Sequence, residues 1–181
     1  MSTAGDFSEY SIPTPDSEPG FIAAGPDGNV WFTEERGGKV AKVTTSGAIT
    51  EYAVPTDTAP FPWGITAGPD GNMWFTEDLG NKVAKVTMAG VITEYTLPTP
   101  GSEPTEIAAG PDGNLWFTEG TSNHVGPGKV ARVTTSGVVT EFTFPRSLDC
   151  SLCLISVPRA SLPARMEIYG SPRRLAIGWP P

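Results

Sequence analysis

The sequence predicts an all-β fold built from β-propeller blades, each a four-stranded antiparallel sheet, and three observations support this. The segment GPDGNVWFTE at 25–34 returns as GPDGNMWFTE at 68–77 and as GPDGNLWFTE at 110–119, at steps of 43 and 42 residues. Each copy is followed by KVAKVT or KVARVT, and then by a Gly and a Thr-Glu-aromatic segment. Repeats of four short strands with a period of about 40–45 residues are typical of propeller blades.

Turn residues divide each repeat into its strands. Pro69-Asp70-Gly71 forms the first turn of the second copy, because Pro presets φ and Gly accepts the positive φ that other residues resist. Gly90 closes a later turn, and Pro98 ends strand pairing. The aromatic residues between these turns favour a pleated strand. The second copy therefore predicts strands at 63–67, 72–77, 82–87 and 91–97.

The repeats define one domain, an incomplete propeller over residues 1–145, with blades at about 20–54, 63–97 and 105–144. The segment FSEYSIPTPDSEP at 7–19 matches ITEYTLPTPGSEP, which lies 85 positions further along the chain. We therefore expect the chain to open on a fourth strand and then to run through three whole blades. Compared with a closed ring, the chain is expected to be truncated.

The last 36 residues have a different character. None of the three repeat motifs occurs in 146–181, which we predict to be an irregular tail. One interpretation is an out-of-frame reading after a frameshift, and the other is a divergent segment that caps the last blade. Translating the coding DNA in its other two frames beyond Pro145 distinguishes them. Cys150 and Cys153 lie in this tail and supply only half of a zinc site.

Composition excludes several classes of function. The net charge is −8, whereas a nucleic-acid-binding surface needs a basic face. The first ten residues have neither the charged start nor the apolar core of a signal peptide. No apolar run reaches the roughly 20 residues of a membrane helix. These features predict a cytoplasmic protein with neither nucleic acid nor membrane as a partner.

The combination of GPDGN-x-WFTE, NKV-x-K-V-T and G-x-ITEY-x-LPTP resembles the virginiamycin B lyase family, also called streptogramin lyases. The resemblance implies a seven-bladed propeller and a Mg²⁺-assisted elimination that opens the ring of type B streptogramins, which are cyclic depsipeptide antibiotics. In the family, the catalytic histidine follows a Glu-Pro pair at the start of a first strand. The matching positions here read Glu18-Pro19-Gly20, Phe61-Pro62-Trp63 and Glu103-Pro104-Thr105.

Because no histidine stands at these positions, we expect a lyase-like chain that is inactive by itself. The alternative is a non-catalytic propeller that serves as a binding or interaction module. His124, the single histidine, lies in the TSNHVGPG insertion and is the candidate base, with a plain loop residue as the alternative.

Several carboxylates are predicted to meet at one end of the blades, where second strands end and blade-to-blade links run. Oxygen ligands of this kind suit Mg²⁺. The alternative is that they are solvated strand ends or bind backbone in a neighbouring blade. Glu35 and Asp78 add charge to the same end. The candidate metal ligands are Glu18, Glu34, Glu77, Glu103 and Glu119.

Two further sets of residues recur at the blade period. The tryptophans are expected to fill the gaps between blades, with a stacking platform for an aromatic ligand as the alternative. The aspartates of GPDGN are interpreted as turn residues, because the further oxygen ligands of a calcium loop do not follow them. The two sets are Trp31, Trp74 and Trp116, and Asp27, Asp70 and Asp112.

An unclosed array leaves apolar faces open at its two ends, because blades bury these faces against their neighbours. Large exposed apolar patches indicate a partner or aggregation. We therefore expect self-association through the open blade faces, with two copies closing a ring of six blades.

Overall fold

The computed structural model describes residues 8–56, 60–120 and 128–143, which form twelve strands in three sheets. The first blade contains β1 (Pro19–Ala24), β2 (Val30–Glu34), β3 (Lys39–Val43) and β4 (Ile49–Ala53). The second contains β5 (Pro62–Ala67), β6 (Met73–Glu77), β7 (Lys82–Val86) and β8 (Ile92–Thr96). The third contains β9 (Pro104–Ala109), β10 (Leu115–Glu119), β11 (Lys129–Val133) and β12 (Val139–Thr143).

Within each blade the strands pair antiparallel in chain order, and the described part of the chain contains three such sheets that do not close a ring. This confirms the predicted incomplete all-β propeller. The strands of the second copy begin and end within one residue of their predicted bounds. Over these ranges we find no helix with the length and apolar character needed to cross a membrane.

The core lies between the blades. One apolar cluster joins Trp31, Val40 and Val54 of the first blade to the second, where its members are Ile65, Met73, Phe75, Ala84 and Val86. The other joins Trp74, Val83 and Leu97 of the second blade to Ile107, Leu115, Phe117, Ala131 and Val133 of the third. Each blade therefore has a face toward the preceding blade and a different face toward the following one.

Residues 8–12 do not form a regular strand, although they lie where a fourth strand of a preceding blade would lie. Tyr10 covers Gly47 of the first blade just as Tyr52 covers Gly90 of the second. Residues 8–12 form no ladder, because no neighbouring strand is present among the described residues to pair with them. The tail at 146–181, with Cys150 and Cys153, lies outside the described residues, and both interpretations of it stay predictions.

A substitution at Gly90 tests the packing of one blade onto the next. Its φ is 88°, and an added Cβ would lie 2.0 Å from Cε1 of Tyr52 in the preceding blade. We expect Gly90→Ala to lower the free energy of unfolding by about 2–4 kcal/mol, because left-handed strain and overpacking add. Urea unfolding followed by circular dichroism measures the loss.

Gly71 is the matched control for this substitution. It has a φ of 75°, but an added Cβ would meet nothing within 4 Å. Gly71→Ala therefore carries the backbone strain alone, about 1–2 kcal/mol. Equal losses for the two variants would contradict the tight contact between Tyr52 and Gly90.

Candidate functional site

Each blade begins with a strained residue just before the proline of its first strand. The φ angles are 49° at Glu18, 43° at Phe61 and 43° at Glu103. Their carbonyl oxygens accept hydrogen bonds of 3.0–3.1 Å from backbone N–H groups that follow the second strands. Such backbone is unfavourable for residues other than Gly, and it clusters at functional sites. We call these residues and their donors the link rim: Glu18, Phe61, Glu103, Glu35, Asp78 and Gly120.

The charges of the link rim are unevenly distributed. Burial raises the pKa of Asp78, and the carboxylates of Glu103 and Glu35 raise it further. One half-buried aspartate thus feels carboxylates from two other parts of the rim. Glu18 instead pairs with Arg36, at 3.0 Å between Oε1 and Nε, and both side chains are largely exposed. Phe61 places an aromatic ring where the other two blades have a glutamate.

The other three candidate ligands are buried rather than solvated. Glu34 and Glu77 are 0% exposed and Glu119 is 4% exposed. Each ends its second strand and pairs in register with the lysine that begins the third, as Glu77 does with Lys82. Their side chains therefore point into the blade packing and not into an open cleft.

A repeated cluster of three residues lies beside each buried glutamate. The lysine of the third strand donates a hydrogen bond to a glutamate of the fourth strand, over 2.7 to 2.8 Å. A threonine of the incoming link donates its hydroxyl to the same glutamate and also accepts from the lysine. We call this cluster the polar clasp: Thr14, Lys39 and Glu51; Thr56, Lys82 and Glu94; Thr99, Lys129 and Glu141.

The pKa values of the clasp glutamate and of the buried glutamate beside it shift in opposite directions. Burial would raise the pKa of Glu94, but hydrogen bonds from Lys82 and Thr56 outweigh it and lower the pKa. Burial raises the pKa of Glu77 to about 7, against the lowering effect of its hydrogen bond with Thr56. Burial likewise raises the pKa of Glu34 and of Glu119. The fourth-strand glutamate is thus the charged partner of the lysine, and the buried glutamate binds its proton unusually tightly.

Counting protons at the second clasp leads to the same assignment. The Thr56 hydroxyl oxygen lies 2.6 Å from Glu94 Oε1, 2.8 Å from Glu77 Oε2 and 2.6 Å from Lys82 Nζ. A hydroxyl carries one proton, and Lys82 needs an acceptor. The hydroxyl can therefore donate to only one of the two carboxyls. A protonated Glu77 that donates to the hydroxyl satisfies all three contacts.

This arrangement does not suit Mg²⁺, which requires near-octahedral oxygen coordination. Over 8–56, 60–120 and 128–143, no three His, Cys, Asp or Glu side chains converge on one point. The lysines already neutralise the clasp carboxylates, and Arg36 neutralises Glu18. Metal ligation by Glu18, Glu34, Glu77, Glu103 and Glu119 stays a prediction. His124 lies outside the described residues, so its role as a base stays a prediction.

The GPDGN aspartates act as turn residues, as expected from the sequence. Asp70 accepts hydrogen bonds from the backbone and side chain of Asn72, and its Oδ1 accepts one of 3.0 Å from the indole N–H of Trp74. The other two copies repeat these contacts. Trp31 and Trp74 are fully buried between blades, which confirms gap filling for these two, whereas Trp116 is only partly buried.

Sequence reasoning missed the polar clasp, although a signal for it was present. Lys and Thr-Glu recur in every KV-x-[KR]-V-T and TE-aromatic segment, and the PT pair recurs in every link. A lysine, a glutamate and a threonine that return together at one period are a candidate cluster. Their assembly from three separate segments could be recognised only in the folded chain.

Comparison with known proteins adds an independent line of support. The sequence profile described as the virginiamycin B lyase family matches residues 1–159. The chain belongs to the virginiamycin B lyase family. The profile extends past the third blade into the tail, whose structure is not described.

Solved structures of this family superimpose on the chain. Selenomethionine-substituted virginiamycin B lyase from Staphylococcus aureus is 40% identical with a TM-score of 0.73, over 80% of this chain and 47% of that one. A streptogramin B lyase structure gives the same identity and TM-score, over 80% and 46%. A catalytically inactive histidine-to-alanine variant of the Staphylococcus aureus enzyme, with quinupristin, gives 40% and 0.72, over 79% and 47%.

The chain spans just under half the length of these relatives. Among curated proteins, no significant match was found.

Proposed function

We propose that this chain provides three blades of a lyase-type propeller that recognises type B streptogramins, and that it does not catalyse ring opening by itself. The observation that carries the proposal is the 40% identity to virginiamycin B lyases over 80% of this chain. The match covers 80% of this chain, which supports the same architecture at the link rim. The substrate class is a cyclic depsipeptide closed by an ester.

The reaction proposed for the complete propeller is an elimination. A base removes the proton on the carbon next to the ester-bearing carbon, the C–O bond breaks, a C=C bond forms, and the ring carboxylate leaves. Near neutral pH the natural base is a histidine. The three Glu-Pro-type positions of this chain continue with Gly20, Trp63 and Thr105 instead. This absence supports the inactive state proposed for the chain alone.

Mg²⁺ enters the proposal only through the family resemblance. When bound, such a cation would polarise the ester carbonyl. The described carboxylates do not form a ligand set for it, so no step on this chain is assigned to the metal. We propose that a competent metal centre requires residues beyond the described blades.

The test is incubation of the purified chain with quinupristin, with and without Mg²⁺ and with EDTA. Elimination gives an isomer of unchanged mass, so the product is followed by chromatographic retention and fragment-ion spectra. We expect no linear product from this chain under any condition. The complete Staphylococcus aureus enzyme is the positive control. Turnover by this chain that EDTA abolishes would contradict the proposal.

The second candidate function is a non-catalytic binding module. The observation in its favour is the rim itself, where Phe61 and Glu103 have strained backbone and the carboxylates of Glu35 and Glu103 act on Asp78. Calorimetric titration with quinupristin distinguishes the two candidates. Saturable binding without a linear product supports the module. If the chain shows no binding and no turnover, the result supports a chain that is one part of a larger lyase site.

A further inference from the structure

The two interfaces between blades show what covers each kind of blade face. At both, an isoleucine, a phenylalanine and a valine of the following blade pack on a tryptophan and a valine of the preceding one. The first blade has the same isoleucine, phenylalanine and valine toward its open side. We call Ile22, Phe32 and Val43 the front face. The third blade has the matching tryptophan and valine toward its own open side. We call these two residues, together with Thr118 and Phe142, the back face: Trp116, Thr118, Val130 and Phe142.

Parts of these end faces are exposed where their internal counterparts are buried, although Phe32 of the front face stays buried at 7% exposed. Ile22 is 68% exposed, whereas Ile65 and Ile107 are each 7% exposed. Thr118 is exposed, whereas its counterparts Thr33 and Thr76 are fully buried. The residue types are the same, so the difference comes from the lack of a covering blade among the described residues. The front and back faces are thus the two unused halves of one interface.

One polar group at the back face also lacks the partner that a following blade supplies. Lys42 Nζ donates a 3.0 Å hydrogen bond to the Met88 carbonyl oxygen of the next blade, and Lys85 Nζ donates one of 3.1 Å to that of Thr135. Arg132 holds the same position in the third blade, and its buried Nε has no hydrogen-bond partner among the described residues. By the repeat, the acceptor that would match it is the carbonyl oxygen of Thr45.

We propose that the back face of the third blade binds the front face of the first blade of a second copy, head to tail. The occupant follows from continuity with the internal interfaces, which pair the same residues. A heterologous contact of this kind either closes a ring or propagates. Two copies that use both faces form a closed ring of six blades.

One contact within the chain competes with this association. Tyr52 and Tyr95 cover Gly90 and Gly137 of the following blades, and Phe142 is their counterpart in the third blade. The matching glycine on a second copy is Gly47, which that copy's own Tyr10 already covers. Phe142 therefore takes the place of Tyr10 on docking, and residues 8–12 restrain the pairing.

The test is sedimentation velocity on the full chain from micromolar to sub-millimolar concentration. The wild-type chain is expected to shift from 19.1 kDa toward twice that mass. Ile22→Glu on the front face and Thr118→Glu on the back face each place a charge in the contact. Each is expected to raise the dissociation constant more than about tenfold, which corresponds to about 1.4 kcal/mol. Circular dichroism verifies that both variants stay folded.

Mixing the two variants tests the head-to-tail geometry. The I22E chain keeps an intact back face and the T118E chain keeps an intact front face, so an equimolar mixture is expected to form heterodimers that neither variant forms alone. Leu79→Glu is the matched control, because Leu79 is 58% exposed at the turn between β6 and β7, away from both faces. It is expected to associate like the wild type, and Tyr10→Ser is expected to associate more tightly.

Three results would overturn the proposal. The first is a wild-type chain that stays at 19.1 kDa throughout the concentration range. The second is association that neither I22E nor T118E weakens, since another surface would then be responsible. The third is a mixture of the two variants that remains monomeric although the wild type associates.

Discussion

Replacing Trp74 with alanine is expected to lower the free energy of unfolding by about 3–5 kcal/mol, the usual loss for a large buried aromatic side chain. Trp74 is 0% exposed and lies in the cluster that joins the second and third blades. It stacks on Tyr95 with centroids 5.7 Å apart, and Lys85 Nζ lies 5.4 Å from its ring. Truncation leaves a cavity and removes the indole donor from Asp70. Urea unfolding followed by circular dichroism measures the loss.

Trp116 is the control that the repeat itself supplies. It donates the same 3.0 Å hydrogen bond to Asp112 and stacks on Phe142 in the same way, but no following blade covers it in the described chain. Trp116→Ala is therefore expected to cost less than half as much, about 1–2 kcal/mol, when measured on dilute, monomeric protein. Equal losses at the two positions would contradict blade stacking as the source of the stability.

As the pH rises, the wild-type chain is expected to lose about 3 kcal/mol of its free energy of unfolding through Glu77, and replacing Glu77 with glutamine is expected to remove this loss. The pKa of Glu77 rises from an ordinary value of 4.5 to about 7 in the folded chain, mainly because of burial. The folded chain therefore binds this proton more tightly than the unfolded chain does. The stabilisation is complete below pH 4.5 and is lost as the pH rises to about 7.

The measurement is the difference in unfolding free energy between the E77Q variant and the wild type, at several pH values between 4 and 8. Because other groups titrate in both proteins, the difference isolates Glu77, and it is expected to shift in favour of the variant as the pH rises. Glu106→Gln is the control, since Glu106 is an exposed glutamate on β9. A difference that stays constant with pH would show that Glu77 is ionised in the folded chain, contrary to the proton count at Thr56.

Most of the fold could be predicted from local sequence. Alternating apolar residues and fixed turn residues such as Pro69-Asp70-Gly71 act over a few residues, and the strands of the second copy begin and end within one residue of expectation. The opening segment differed, because residues 8–12 carry the pattern of a fourth strand without a third strand beside them. A strand pattern becomes a strand only when a partner supplies its hydrogen bonds.

The candidate site was less predictable. The repeat placed Glu18 and Glu103 in links and Glu77 at a strand end, but it did not show that Arg36 pairs with Glu18 or that Glu77 is fully buried. Whether a carboxylate at a strand end meets solvent, a metal or a lysine depends on side chains far away in the sequence. Thr56, for example, reaches Glu94 across 38 residues.

The sequence by itself determined the family, the blade period and the order of strands, because these depend on near-neighbour turn chemistry and on a pattern repeated three times. Only the tertiary structure decided which carboxyls are charged. That outcome depends on loss of water around Glu34, Glu77 and Glu119 and on lysine and threonine groups from separate segments of the chain. Desolvation is a property of the packed blades, and no short stretch of sequence carries it.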